Sequence, residues 1–138
     1  MATLFAAPPK EDQVEDFDPA FVDRVAIKAA SRLLNAWAIE NDPAAYLVGT
    51  KKRTWLRMKA GEWAGELNQD QQMRISALVG LYQGLHVYFG DDLADDWVKL
   101  ENGGPLFDGS TPLTFMLEGG LPAIIRVRDY VDALRGGL

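Results

Sequence analysis

Lys51, Lys52, Arg53, Arg57 and Lys59 place five of the chain's 14 basic side chains within nine positions that hold no acid, although the sequence as a whole carries a net charge of −6. Cations this dense do one kind of chemistry well: they neutralise the phosphates of a polyanion and release its counterions. A sequence pI near 4.7 argues against general attraction of the whole surface to nucleic acid, so any such contact must be local. Catalysis is harder to assemble. The sequence has no cysteine, and its one histidine, His86, lies among Leu85, Val87 and Tyr88, where a hydrogen-bonded packing role is expected rather than general-base work. Ser31, Ser76 and Ser110 have no local partner that would make a nucleophile. Asp91, Asp92, Asp95 and Asp96 supply four carboxylates, but capping and dipole stabilisation of a helix start account for the first two, and no metal site is expected there. The glycines of ENGGPLFDGSTPL neither follow a strand nor open a G-x-G-x-x-G turn, which removes a dinucleotide loop. We therefore expect no enzyme, no catalytic residue and no cofactor.

The elements that must position the basic cluster read as helices throughout. A chain of 138 residues with 48% hydrophobic residues fits one domain, or two very small ones sharing a core. The absence of cysteine and of an apolar leader in residues 1–16 predicts a reducing, cytoplasmic setting, and no run approaches the roughly 18 apolar residues of a membrane span. Residues 1–17, with Glu11, Asp12, Glu15 and Asp16, read as a flexible acidic lead-in. Asp18-Pro19, Asp42-Pro43 and Thr111-Pro112 each offer an N-cap acceptor followed by a proline at the first helical position. Gly49, Gly61, Gly90 and Gly119-Gly120 stand where helices should stop. Between them, Phe21, Val22, Val25, Ala26, Ala29, Ala30, Leu33, Leu34 and Trp37 recur at helical spacing and predict the buried stripe of a first helix. A long helix is predicted over 69–89, with Met73, Leu78, Tyr82, Leu85 and Phe89 inward and Gly80 and Gly84 admitting a close neighbour. Shorter helices are predicted over 43–48, 51–60, 92–100 and 112–118, and a last one over 122–135. The expected fold is all-α.

Residues 41–60, NDPAAYLVGTKKRTWLRMKA, then read as a helix-turn-helix. Such a motif needs a small residue where its helices cross, a turn residue that tolerates positive φ, and apolar residues inside the second helix. Ala45, Gly49, Trp55 and Met58 meet those needs. The second helix would present Lys51, Lys52, Arg53 and Thr54 to a major groove, with Arg57 and Lys59 nearer the phosphates. One such helix makes few phosphate contacts, whereas a two-fold dimer reads two half-sites, so a homodimer is expected.

Residues 89–134 are FGDDLADDWVKLENGGPLFDGSTPLTFMLEGGLPAIIRVRDYVDAL. Phe89-Gly90, Trp97, Pro105-Leu106-Phe107, Gly109-Ser110-Thr111-Pro112-Leu113 and a terminal helix from Ile124 fall in an order that resembles the toxin-binding domain of the MbcA/ParS/Xre antitoxins. Residues 20–88, with RTWLRMKAG and MRISALVGLYQGL, resemble the Xre-like helix-turn-helix half that commonly precedes it. The resemblance implies a DNA-binding region over 18–88 and a small helical toxin-binding bundle over 89–138, and the acidic lead-in over 1–17 is where the sequence departs from the family. It further implies an antitoxin that silences a RES-domain toxin and represses their shared operon at operator DNA. NAD would be the toxin's substrate and no cofactor of this chain. Rival readings are a stand-alone helix-turn-helix regulator and an adaptor whose basic helix meets an acidic protein.

The toxin-binding residues follow from the last helix. Ile124, Ile125, Val131 and Leu134 share a face that should pack inward, which leaves Arg126, Arg128, Asp129, Asp132 and Arg135 to a partner. A toxin cleft that accepts a diphosphate would receive an arginine, and the tail ending at Leu138 is placed to enter it. The 104–112 loop, with Phe107, Ser110 and Thr111, is the other candidate surface.

Overall fold

A computed structural model describes residues 18–136. The lead-in over 1–17 and the terminal Leu138 lie outside the described residues. Among those described, six α-helices and one short 3-10 helix occur, with no strand. We number them α1 (Pro19–Ala36), α2 (Asn41–Val48), α3 (Lys52–Lys59), α4 (Gln69–Phe89), α5 (Asp91–Ala94) and α6 (Pro112–Gly136), the 3-10 turn being Trp97–Lys99. The all-α expectation holds.

Capping explains most of the boundaries. Asp18 accepts a hydrogen bond from the Ala20 amide at 3.3 Å with Pro19 next to it, and Thr111 Oγ1 accepts from the Thr114 amide at 3.0 Å ahead of Pro112. Asn68 and Gln71 form a reciprocal capping box at the start of α4. Asp42 is a correction: α2 begins earlier, after Glu40, and makes no side-chain cap. Asp42 instead occupies the first turn, where a negative charge meets the positive end of the helix dipole.

The core is one cluster that runs from Ile27 and Leu34 through Trp37, Leu47, Trp55, Leu78 and Leu81 to Met116, Ile124 and Val131. Helix α4 is its axle. It packs on α1 along one side and on α6 along another, and Gly84 allows the close approach: a Cβ there would lie 3.2 Å from Val131 Cγ1. The predicted stripe of α1 is rotated. Phe21, Val22 and Val25 are exposed, while Asp23, Ile27, Ala30, Leu33, Leu34 and Trp37 face inward. The cause is Asp23, whose carboxylate accepts the buried Leu67 amide at 3.0 Å and so turns its own face of the helix to the core. Met73 is likewise exposed, and Ile75 and Leu81 take the inward positions around it.

The carboxy-terminal third departs from the expected boundaries in one place and keeps them in another. The helix expected over 92–100 is split into α5 and the 3-10 turn. The stop expected at Gly119-Gly120 is present: α6 comprises two helices joined across a kink at Gly120, whose backbone is non-helical (φ 68°, ψ −149°). Gly120 is buried beside Tyr46 and Arg74, so the bend sits where α6 meets α2.

Candidate functional site

Helices α2 and α3 pack on one another across a tight turn at Gly49, which adopts the left-handed conformation (φ 89°) that a side chain resists. The turn is braced from α4. Gln71 Nε2 donates to the Gly49 carbonyl at 3.2 Å, and Arg74 Nη1 donates to the Tyr46 carbonyl at 3.1 Å. Arg74 is itself fixed by Asp70, at 2.8 Å one turn away. These bonds satisfy carbonyls at the end of α2 that its own ladder leaves open. Their effect is to tie the end of α2 and the turn to α4.

Helix α3 buries Trp55 and Met58, at 1% and 4% exposure, and turns its charges out. Lys51, Lys52, Arg53, Arg57 and Lys59 are all exposed, and Thr54 is half-buried. Two of the cations lean back on α2: Lys52 Nζ lies 3.8 Å from Asp42, and Lys59 Nζ donates to Asn41 Oδ1 at 2.6 Å. Lys51 and Arg53 make no ion pair among the described residues. The structure thus gathers the six predicted residues on one short helix and its N-cap, with Trp55 and Met58 beneath them.

The second predicted surface is divided. Phe107 is 3% exposed and forms the hub of an aromatic cluster, with ring centroids 5.8 Å from Trp97, 5.6 Å from Phe115 and 5.2 Å from Tyr130. Its ring therefore holds the loop in place from inside. Thr111 caps α6, and Ser110 Oγ donates to the Thr111 carbonyl at 3.3 Å. Arg126 is exposed above the Phe115 ring, its guanidinium carbon 5.7 Å from the centroid. Arg128 lies over Gly80, where a Cβ would come 2.5 Å from its guanidinium, and Asp132 sits between Arg128, at 3.8 Å, and Arg135, at 3.2 Å. On the inward face Ile124 and Val131 are buried and Ile125 and Leu134 half-buried, as the pattern predicts.

His86 sits where α4 gives way to α5. Its Nδ1 and Nε2 each meet a carboxylate at 2.8 Å, from Asp91 and Asp95 respectively, and its ring lies 4.3 Å from that of Tyr82. The hydrogen bond to Asp91 raises its pKa above the ordinary 6.5, burial opposes the rise, and Asp95 reinforces it. Both ring nitrogens are thus engaged within the fold, which accords with a packing role.

Sequence reasoning missed Asp23, Gln71 and Arg74. The first had a signal, a carboxylate among apolar residues of an amphipathic helix. Arg74 showed only its spacing from Asp70; its carbonyl partners lie 28 and 27 residues away and are set by tertiary packing.

Two short helices packed across the turn at Gly49 thus share one core with the carboxy-terminal helices, an all-α architecture. Residues 84–137 match the family described as the antitoxin Xre/MbcA/ParS C-terminal toxin-binding domain. The chain is also 34% identical over 113 residues to the uncharacterized protein y4oB of Sinorhizobium fredii, which spans 80% of this chain and 84% of that relative. No solved structure matches the chain. The chain belongs to the Xre/MbcA/ParS antitoxin family. No described helix is long and apolar enough to cross a membrane.

Proposed function

We propose that the chain is the antitoxin of a type II toxin–antitoxin pair, which binds and neutralises a RES-domain, NAD-consuming toxin and represses the shared operon as a homodimer on operator DNA. In this reading residues 18–88 are the DNA-binding region and residues 89–138 the toxin-binding domain, and neither carries catalysis. The observation that carries the reading is the family match over residues 84–137 in a chain whose helix pair, Asn41–Val48 and Lys52–Lys59, turns a cationic face outward. Lys51, Lys52, Arg53, Thr54, Arg57 and Lys59 meet the DNA. Arg126, Arg128, Asp132, Arg135 and Leu138 meet the toxin, with Ser110 and Thr111 at the edge of the same surface and Phe107 supporting it from below.

The experiment is co-expression of the chain with the product of the neighbouring gene, followed by co-purification and an NAD-loss assay. Co-purification with loss of NADase activity supports the reading. A neighbouring product that neither co-purifies nor consumes NAD refutes the toxin half, and leaves a stand-alone regulator as the reading to pursue. Truncation after Leu134, beside Arg126→Ala and Arg128→Ala, then locates the inhibitory surface, because none of these changes removes a core residue. If every variant still inhibits as the parent does, the surface lies in the 104–112 loop.

A further inference from the structure

We propose that Leu56 is a base-reading residue of α3, and that it packs on the 5-methyl group of thymine in the major groove. This rests on the DNA-binding reading and adds a residue whose apolar character does not suggest it. Leu56 is 40% exposed, and on α3 it is the large apolar side chain that does not enter the core, since Trp55 and Met58 do. Its neighbours on the outer face are Arg53, three residues earlier, and Arg57, next in the chain. Lys52 and Lys59 lean toward Asp42 and Asn41 on α2, while Arg53, Leu56 and Arg57 stand exposed on the outer face, Arg57 Nη2 reaching the Glu62 carbonyl at 3.5 Å.

The identity of the occupant follows from charge. No acid lies between residues 49 and 61, so two copies meeting through α3 would set Arg53 and Arg57 against their own kind. A polyanion suffers no such penalty. Eight residues of α-helix are about 12 Å long, which is close to the width of a major groove at about 12 Å, so only two or three successive side chains can reach base edges. Within that groove the donor and acceptor atoms suit the arginines, and the thymine methyl is the apolar feature a leucine can cover. An exposed leucine framed by two guanidinium groups is thereby given a use that a polar residue could not fill.

The test begins with selection from a random duplex pool by the full chain, and compares the selected duplex with a copy in which deoxyuridine replaces thymine. The expected result is a drop of about fourfold in wild-type affinity per buried methyl group. Leu56→Ala should lose a similar factor on the thymine duplex and no longer distinguish the two copies, while Leu56→Met keeps the distinction. The salt dependence of Leu56→Ala should match that of the parent, because no phosphate-binding group is removed. Equal wild-type affinity for the two duplexes overturns the inference, as does full discrimination by Leu56→Ala. If the pool yields no enriched duplex, the DNA-binding reading falls and the inference falls with it; enrichment without methyl dependence removes the inference alone.

Discussion

Residues 18–67 contain eight Lys and Arg against six Asp and Glu, whereas residues 68–138 contain five against ten. The sign of the charge differs between the two regions, and so does what the cations do. On α3 they stand on an exposed face, with at most one loose ion pair among them, between Lys52 and Asp42. Beyond residue 68 four of the five are tied: Arg74 to Asp70 and two carbonyls of α2, Arg128 and Arg135 to Asp132, and Lys99 Nζ to the Ala38 carbonyl at 2.8 Å, while Arg126 lies over the Phe115 ring. Unpaired cations are an open invitation to phosphate, and paired ones fix geometry. The difference teaches that a net charge of −6 conceals a division of labour, and that the acidic region supplies the scaffold on which the basic helix is held.

The largest expected effect tests whether the two regions are physically one. Trp55 belongs to the basic helix yet is buried in the core that extends to Met116 and Val131. Trp55→Ala should destabilise the protein by about 3–5 kcal/mol, the usual cost of deleting a buried aromatic side chain. Thermal unfolding of the variant should remain a single transition, shifted down, with far-ultraviolet and near-ultraviolet signals coincident. Two separated transitions would break the comparison into two independent domains.

Next in size is the weakening of DNA binding expected when exposed charges at the start of α3 are removed. Replacing Lys51, Lys52 and Arg53 with alanine should lower the slope of log affinity against log salt by roughly 0.9 for each phosphate that is no longer neutralised. Stability should barely change, since all three side chains are exposed and not one touches the core. Operator binding that survives unchanged in the folded triple variant would remove α3 from the interface.

A pair of glycines sharpens the contrast at a smaller scale. Gly49 (φ 89°) and Gly109 (φ 86°) share a left-handed backbone, but a Cβ at Gly49 would come 2.9 Å from Arg74 Cδ, while nothing lies within 4 Å at Gly109. Gly109→Ala should therefore cost only the backbone strain, about 1 kcal/mol. Gly49→Ala should cost more, because it also pushes on the arginine that braces the turn, and it should weaken DNA binding where Gly109→Ala does not. Equal melting temperatures for the two variants would mean that the brace contributes nothing.

The two regions also differ in how far their sequences disclose them. The pair of helices around Gly49 was legible because its signals are local: Ala45, Gly49, Trp55 and Met58 lie within fourteen residues, and the cations fill the remaining face of the second helix. The long helices were legible from their periodicity and from the glycines at their ends. The rotation of α1 was not, because the Asp23 carboxylate answers to the Leu67 amide 44 residues away. The break at Gly119-Gly120 was legible in the glycine pair itself. Where that bend packs was not legible, because only the fold brings Tyr46 and Arg74 of other helices beside Gly120. Candidate binding residues were legible as types, but whether an arginine is free or tied depends on neighbours that the sequence separates widely.

The smallest expected effect concerns His86, where the acidic region binds its own cation. Its pKa lies above 6.5 in the folded protein because the carboxylates of Asp91 and Asp95 favour the charged ring. A group whose pKa rises on folding adds stability that is complete below the unfolded value and is lost as pH climbs through the folded one. The melting temperature of the parent should accordingly decline as pH rises from about 6 toward 8, relative to that of His86→Gln, which cannot titrate. The Asp91 side chain is 91% exposed, so the contribution should stay below about 1 kcal/mol and shrink in high salt. Asp95→Asn should reduce the decline without abolishing it, since Asp91 still bonds the other ring nitrogen. Parent and His86→Gln curves that run parallel from pH 6 to 8 would show that the ring is held by packing on Tyr82, and that its ion pairs leave the fold's stability untouched.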